Sequence, residues 1–358
     1  MSPNYAALQV GHKVKPLRVE LVDDRYPDED EIVVRNAAVA INQLDWKIQD
    51  YAWEMFNYPL ILGVDVAGEV VEVGCDVDER RFKVGDRVVG HALSFATKDQ
   101  RHGGFQNYTV LQSNMATPIP QSLSFEKAVV LPLGVSTASA ALFNRDCLAL
   151  PRPSLNPRPT STTLLVWGGS SSVGCNAIQL AVAAGCEVIV TASPRNFDKM
   201  RELGAALAID YNSKTVVEEL EKAFQGRRLA GAFDTIGKQE TLGQTAQAVL
   251  KIDRTKMVVS TIDDIEEGTV PEGVIAKPVL AVSIRGGEEE EDAGQENVGK
   301  MVYEDFLPGA LKAGKYKAEP QPKIVGRGLG SIQAALTEAS GGVSAAKLVV
   351  TLEQDISS

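Results

Sequence analysis

With 358 residues, 44% hydrophobic and 23% charged, the chain is longer than one ordinary core and fits two globular domains. A formal charge of −11 and a pI near 5.0 argue against a general phosphate-backbone binder, so no nucleic-acid partner is expected. No run approaches the roughly 18 uninterrupted apolar residues of a membrane span, and Met1 to Lys15 lacks the basic-then-apolar order of a secretory leader. The cytosol is therefore the expected compartment, without a membrane partner.

The first 120 or so residues read as short valine-rich runs broken by Gly, Asp and Pro, the pattern of a β-rich domain. Strands are predicted at Glu31 to Arg35, Ala67 to Val73 and Asp86 to Val89. Four prolines between Leu148 and Thr160 make that segment an extended loop. From Thr163 the rhythm changes to alternating strands and helices. Strands are predicted at Leu164 to Trp167, Glu187 to Thr191, Ala206 to Ile209, Ala230 to Asp234 and Lys256 to Ser260. Helices are predicted at about Ser172 to Ala184 and Phe197 to Leu203. Such alternation specifies a doubly wound parallel sheet, and the fold class is α/β. Five consecutive acids, Glu288 to Asp292, repel one another and read as a solvated loop. The cysteines, Cys75, Cys147, Cys175 and Cys186, lack zinc-site spacing and read as reduced, mostly buried residues.

The segment Leu164-Leu-Val-Trp-Gly-Gly-Ser-Ser-Ser-Val-Gly174 runs a strand into a small-residue turn that opens a helix. A pyrophosphate needs this arrangement, because it must approach the main chain closely and sit at the donor-bearing end of a helix. Gly168 and Gly169 permit the turn, Gly174 lets helix and strand pack, and Ser170, Ser171 and Ser172 offer hydroxyl donors. The second strand leads to Thr191-Ala-Ser-Pro-Arg-Asn196, where an NAD-selective site presents Asp or Glu to the ribose. Here Ser193, Arg195 and Asn196 stand instead, which suits the extra phosphate of NADPH.

On these residues the chain resembles the medium-chain dehydrogenase/reductase family, in its quinone-reductase and enoyl-reductase branch with its fungal ToxD-like and CipB-like members. Further shared segments are Asn42-Gln-Leu-Asp-Trp-Lys47, Gly63-Val-Asp-Val-Ala-Gly-Glu-Val70, Phe82-Lys-Val-Gly-Asp-Arg-Val88, Gly103-Gly-Phe-Gln-Asn-Tyr108 and Leu131-Pro-Leu-Gly-Val-Ser-Thr-Ala138. The resemblance implies a GroES-like substrate domain at 1–125, completed by 315–358, and a Rossmann NADPH-binding domain at 126–314. Gly341 to Val350 would hold the returning strand. Implied cofactor contacts are Asp45, Lys47, Gly169, Ser170, Ser171, Ser172, Val173, Gly174, Ser193, Arg195, Asn196, Tyr211, Val258, Val259 and Lys347. Ser171 replaces the middle glycine of the usual turn, as in the fungal enoyl reductases.

Zinc-dependent members carry a Cys near the position of Asn42 and Gly-His-Glu where this chain has Gly63-Val64-Asp65. They also carry a four-cysteine lobe where it has His91 to Gly104. Catalytic zinc takes three protein ligands and structural zinc four, and neither set is present, so no metal is expected. His12, His91 and His102 read as surface or loop residues. A zinc-free enzyme must activate its substrate by positioning and hydrogen bonding, which suits a conjugated carbonyl or a quinone. Lys47, Ser136 and Thr137 are the candidate catalytic donors, with Tyr108 a further proton donor. Lys47 alternatively contacts the nicotinamide ribose or pairs with Asp45 at the surface.

The leading expectation is NADPH-dependent reduction of an activated double bond. The alternatives are an alcohol or carbonyl dehydrogenase of the same superfamily and a non-catalytic nucleotide-binding partner protein. Monomer and homodimer both fit, with an edge strand near Val282 to Arg285 able to pair two sheets. A biosynthetic synthase is a further candidate partner.

Overall fold

A computed structural model describes residues 3–51, 57–286 and 297–352. The acidic run Glu288 to Asp292 and positions 52–56 lie outside the described residues. The chain divides into two compact units. One holds the residues up to Leu133, Leu311–Ala313 and the chain from Ala318 onward; the other holds Gly134–Ala310 and Gly314–Lys317.

In the first unit, β1 (Tyr5–Gln9), β2 (Arg18–Leu21) and β4 (Leu60–Ile61) make a small antiparallel sheet in the order β2-β1-β4. A larger sheet contains β3 (Glu31–Ala40), β5 (Asp65–Val73), β6 (Arg87–His91), β7 (Tyr108–Gln112), β8 (Ala116–Pro118), β15 (Gln321–Arg327) and β16 (Ala346–Thr351). Its order is β15-β16-β3-β5-β6-β8, with β7 also on β3. The predicted run Glu31 to Arg35 is half of β3. That strand stays buried along almost its whole length because β5, β7 and β16 all pair with it. Ile32, Val34, Val66, Val88, Leu111, Leu348 and Val350 join the core beneath. Helix α1 (Gln43–Tyr51) follows β3, and a single turn, α2 (Ser94–Thr97), follows β6.

The boundary between units falls at Leu133, not at 125, because α3 (Phe125–Ala128) packs on β3, β5, β15 and β16. The return falls at Ala318 rather than 315. Tyr316 and Lys317 stay with the second unit, where the Tyr316 hydroxyl donates to Asn176 Oδ1 at 2.7 Å and Lys317 N–H to Gln179 Oε1 at 2.7 Å.

The second unit holds six parallel strands: β9 (Thr163–Trp167), β10 (Glu187–Ala192), β11 (Leu207–Asp210), β12 (Leu229–Asp234), β13 (Met257–Ser260) and β14 (Ile275–Pro278). Their order, β11-β10-β9-β12-β13-β14, is the 3-2-1-4-5-6 order of the Rossmann fold. Its helices include α4 (Pro132–Phe143), which begins just before the boundary, α5 (Ser172–Ala183), α6 (Phe197–Glu202), α7 (Val216–Ala223) and α8 (Gln239–Asp253). Residues 149–160 carry neither helix nor strand.

The edge strand expected near Val282 to Arg285 is instead a 3-10 helix, Ala281–Arg285, and the edge is β14. Ser283 turns the chain there, its N–H and hydroxyl both donating to the Leu280 carbonyl. By length and composition Phe125–Phe143 is apolar enough to cross a membrane, but its most apolar window is 78% buried within the fold. Of the cysteines, Cys175 and Cys186 are buried, Cys147 is half-buried and Cys75 is exposed, so "mostly buried" holds for only part of the set.

Candidate functional site

The turn after β9 has the shape its glycines predict. Gly168 takes φ +86°, which only glycine adopts without strain, and Gly174 sits where a Cβ would lie 2.4 Å from the Gly168 carbonyl oxygen. Ser171 is the N-cap of α5, its Oγ accepting from Gly174 N–H at 2.9 Å. That oxygen also lies 2.9 Å from Thr235 Oγ1, which in turn donates to the Trp167 and Gly168 carbonyls. Ser171 therefore locks the turn internally and is not the hydroxyl donor to phosphate expected from sequence. A helix N-cap has this use for a serine, and the expectation overlooked it. Ser170, Ser172 and Val173 are half-buried around the helix start. The first N–H groups of this twelve-residue helix follow a turn of glycine and serine, an arrangement that can hold an anion.

Beyond β10, Ser193 and Asn196 are half-buried and Arg195 is exposed on a short 3-10 turn. Tyr211, just past β11, comes alongside: the Ser193 hydroxyl donates to the Tyr211 oxygen at 3.0 Å. The structure thus brings together Ser193 and Tyr211, which are 18 residues apart. The first carboxylate after β10 is Asp198, engaged by Arg201 at 2.7 Å.

Val258 and Val259 correct another expectation. They lie inside β13, fully buried and flanked by β12 and β14, so their side chains face packing and not a ligand. The strand ends carry polar residues that sequence reasoning missed. Asp234 accepts from the Ser260 hydroxyl at 2.9 Å and the Thr241 hydroxyl at 3.1 Å, and burial raises its pKa. The signal available in sequence was position, since the C-terminal ends of parallel strands are where ligands bind.

In the first unit, a row of polar side chains crosses adjacent strands. Asn42 lies two residues past the end of β3, Asp65 opens β5 and pairs with His91 at the end of β6, and Lys347 is the second residue of β16. Asp65 Oδ2 accepts from Asn42 Nδ2 at 2.8 Å and from Lys347 Nζ at 3.0 Å, and its Oδ1 accepts from Leu133 N–H at 2.7 Å. Lys347 also donates to Asn42 Oδ1. Lys347, expected beside the nucleotide, thus has its ammonium engaged by Asp65 and Asn42.

Asp45 is fully buried, its carboxylate accepting from Asn42 N–H at 2.8 Å and Gly63 N–H at 3.1 Å. This corrects both a surface ion pair with Lys47 and a direct cofactor contact for Asp45: it anchors the start of α1 from within. Lys47, one position beyond Trp46, is half-buried.

His91 and His102 are buried, contrary to the surface reading. His102 lies 2.7 Å from Glu31 Oε1 and 2.8 Å from Thr97 Oγ1, partners that neighbouring residues in sequence do not reveal. His12 is exposed. Burial pushes the Asp45 carboxyl up to about 7, aided by Asp65 and opposed by Lys347 and two backbone donors, and brings His91 down to about 4.

The two shifts act oppositely on stability. From about pH 4 to 7 the folded state holds the Asp45 proton that the unfolded chain has released, so this contribution falls as pH rises. Between about pH 4 and 6.5 the unfolded chain holds a His91 proton that the folded state lacks, so that contribution rises with pH. His91→Asn deletes only the second contribution. Its stability relative to the parent, followed by thermal melts, is expected to fall as pH rises from 4 to 6.5; a difference that rises would contradict the assignment.

Of the remaining expected donors, Ser136 is fully buried in α4 with its hydroxyl 2.9 Å from the Tyr303 hydroxyl, so the fold directs it into the second unit's interior. Thr137 is 7% exposed. Tyr108 packs in β7 with Val33 and Val110. Among the described residues no three His, Cys, Asp or Glu side chains gather as a metal site.

Residues 28–121 match the alcohol dehydrogenase GroES-like domain, and residues 172–291 match the zinc-binding dehydrogenase family. The chain is 44% identical to the zinc-binding alcohol dehydrogenase domain-containing protein cipB of Emericella nidulans, covering 98% of each. It is 39% identical to the trans-enoyl reductase himH of Aspergillus japonicus, again covering 98% of each. Among solved structures, the CurK enoyl reductase superposes with a TM-score of 0.73 at 23% identity, covering 98% of this chain and 100% of that one. With the Rossmann strand order, the glycine-serine turn and the β-rich first unit, these matches show that the chain belongs to the medium-chain dehydrogenase/reductase superfamily of nicotinamide-dependent oxidoreductases.

Proposed function

We propose that this protein is an NADPH-dependent reductase of activated double bonds, in an enal, enone, enoyl thioester or quinone, working without zinc. The observation that carries the zinc-free part is the Lys347 ammonium beside Asp65, with the carboxamide of Asn42 next to it. A cation with no open coordination position already stands there, and an ammonium and an amide nitrogen are not zinc ligands. Relatives named trans-enoyl reductases support the reaction.

When bound, NADPH supplies a hydride to the β-carbon of the conjugated system. The chain's own residues then have three tasks. The N–H groups from Gly169 to Gly174 hold the diphosphate. Ser193, Arg195, Asn196 and Tyr211 receive the adenosine phosphate, for which a guanidinium and hydroxyls suit better than a carboxylate. Lys47 supports the nicotinamide ribose or donates to the enolate oxygen, with Thr137 the second donor, before a proton reaches the α-carbon. Lys47→Met separates the two roles: cofactor support predicts a higher NADPH Kd, and catalysis predicts a lower kcat at unchanged Kd.

An expected result tests the cofactor reading. Arg195→Asp should lower kcat/KM for NADPH about 10- to 150-fold, the worth of one charged hydrogen bond, and leave the NADH value nearly unchanged. Equal losses with both nucleotides would count against a phosphate contact. The reaction itself is tested by chelator-treated protein with NADPH or NADH against an enal, a quinone and a simple aldehyde. NADPH-selective, chelator-resistant reduction of the first two is the expected outcome. Chelator-sensitive exchange between aldehyde and alcohol would replace it with the dehydrogenase reading, which relatives at 42% identity named dehydrogenases favour. Reduction seen only with a synthase-bound acyl chain would identify a biosynthetic synthase as the partner. The cytosol is the compartment this NADPH-linked reading implies, and a monomer or a homodimer would serve.

A further inference from the structure

The polar row in the first unit has a chemical logic of its own. The antiparallel register sets Val349 against Ala40, and Ile41 N–H donates to the Leu348 carbonyl at 2.9 Å, so Lys347 falls opposite Asn42. Ala40 faces Asp65 and Asp65 faces His91 in the next two strands. Four adjacent strands therefore deliver an ammonium, a carboxamide, a carboxylate and an imidazole to one end of the sheet. All are buried: Asp65 is 0% exposed, His91 1%, Asn42 and Lys347 6% each. A lysine taken out of water to this extent requires a partner carboxylate and a further acceptor, and Asp65 and Asn42 supply both.

Asp65 and His91 are also ligand types that a divalent ion accepts, and the Asn42 oxygen is a third donor. Among the described residues no third His, Cys, Asp or Glu joins Asp65 and His91, and the acceptors present are already engaged: Asp65 has its counter-charge, and the Asn42 oxygen has a proton donor. We propose that the Lys347 ammonium is the resident cation of this row, taking the part that a metal ion would otherwise play among Asn42, Asp65 and His91 and keeping metal out. Lys347 is then a positioning residue. Through Asn42 it fixes the start of α1, the helix that carries Lys47. This assignment rests on the zinc-free reading and adds to it the residue responsible.

The test is metal uptake by purified full-length chain, with Co²⁺ as the probe and its visible absorption as the readout. Parent protein and Lys347→Arg, which keeps the charge, should take up no Co²⁺. Lys347→Ala and Lys347→Gln remove the charge and should bind about one Co²⁺ per chain, with bands that vanish when Asp65→Asn is added. If the uncharged variants are unfolded by circular dichroism, recovery of the fold on adding Co²⁺ supports the proposal, because one cation has replaced another. Folded Lys347→Ala that ignores Co²⁺, or an unfolded variant that Co²⁺ does not restore, overturns it. Failure of the underlying zinc-free reading would look different: the parent, with Lys347 in place, would itself bind Co²⁺ or lose turnover to a chelator.

Discussion

Gly174→Ala is expected to weaken NADPH binding by about two orders of magnitude. A Cβ at this position would lie 2.4 Å from the Gly168 carbonyl oxygen and 2.8 Å from Gly169 Cα, all main chain with nowhere to go. Gly168 is itself held at φ +86° and its carbonyl is fixed by the Thr235 hydroxyl, so the turn and α5 must move apart. Overpacking of this kind costs about 1–3 kcal/mol, and here it also misaligns the helix-start N–H groups that would hold the diphosphate. Fluorescence titration with NADPH reads the loss. Affinity within threefold of the parent would mean that the diphosphate is held elsewhere. Ser171→Ala is the milder companion, removing the cap on Gly174 while sparing the backbone path.

Asp65→Ala is expected to destabilise the protein by about 3–5 kcal/mol, the penalty for stripping one partner from a buried ion pair. It would leave the Lys347 ammonium, the Asn42 amide and the Leu133 N–H all short of an acceptor in the interior. Adding Lys347→Met to Asp65→Ala should recover part of the loss, since the orphaned charge goes too. Denaturant melts of the two single variants, the double variant and the parent give the coupling. Additive losses would mean that the two side chains do not depend on each other.

The regularities that repeat locally were legible in the sequence. The buried run Leu164 to Trp167, the small-residue turn and the apolar helix after it depend only on neighbouring residues, and β9, the turn and α5 fall there within a residue. Ser193 and Arg195 could be placed just past β10 because that strand's end follows the same pattern, whereas Tyr211 was named only through the family resemblance. Residues whose role depends on register across strands were not legible. Asp65 sits in a segment that reads as an ordinary strand start, and nothing near it in sequence indicates His91 or Lys347. Asp45 and Lys47 look like a surface pair two residues apart, whereas Asp45 is drawn inward by the N–H groups of Asn42 and Gly63. Val258 and Val259 lie inside β13 between β12 and β14, and that burial comes from neighbouring strands that a local reading does not see.

The first unit is completed by a strand from the far end of the chain, and this sets an order on its birth. The second unit's sheet is drawn from one continuous stretch, while β16 must find β3 across a separation of 305 residues at the Lys347 to Asn42 contact. At 5–20 residues per second, the ribosome delivers Lys347 about 15–60 s after Asn42. Through that interval the Ala38–Ala40 end of β3 lacks its β16 partner, and Asp65 is a carboxylate without its ammonium. The Rossmann unit can close meanwhile, so β16 arrives to complete the first unit after the stretch between its parts has folded.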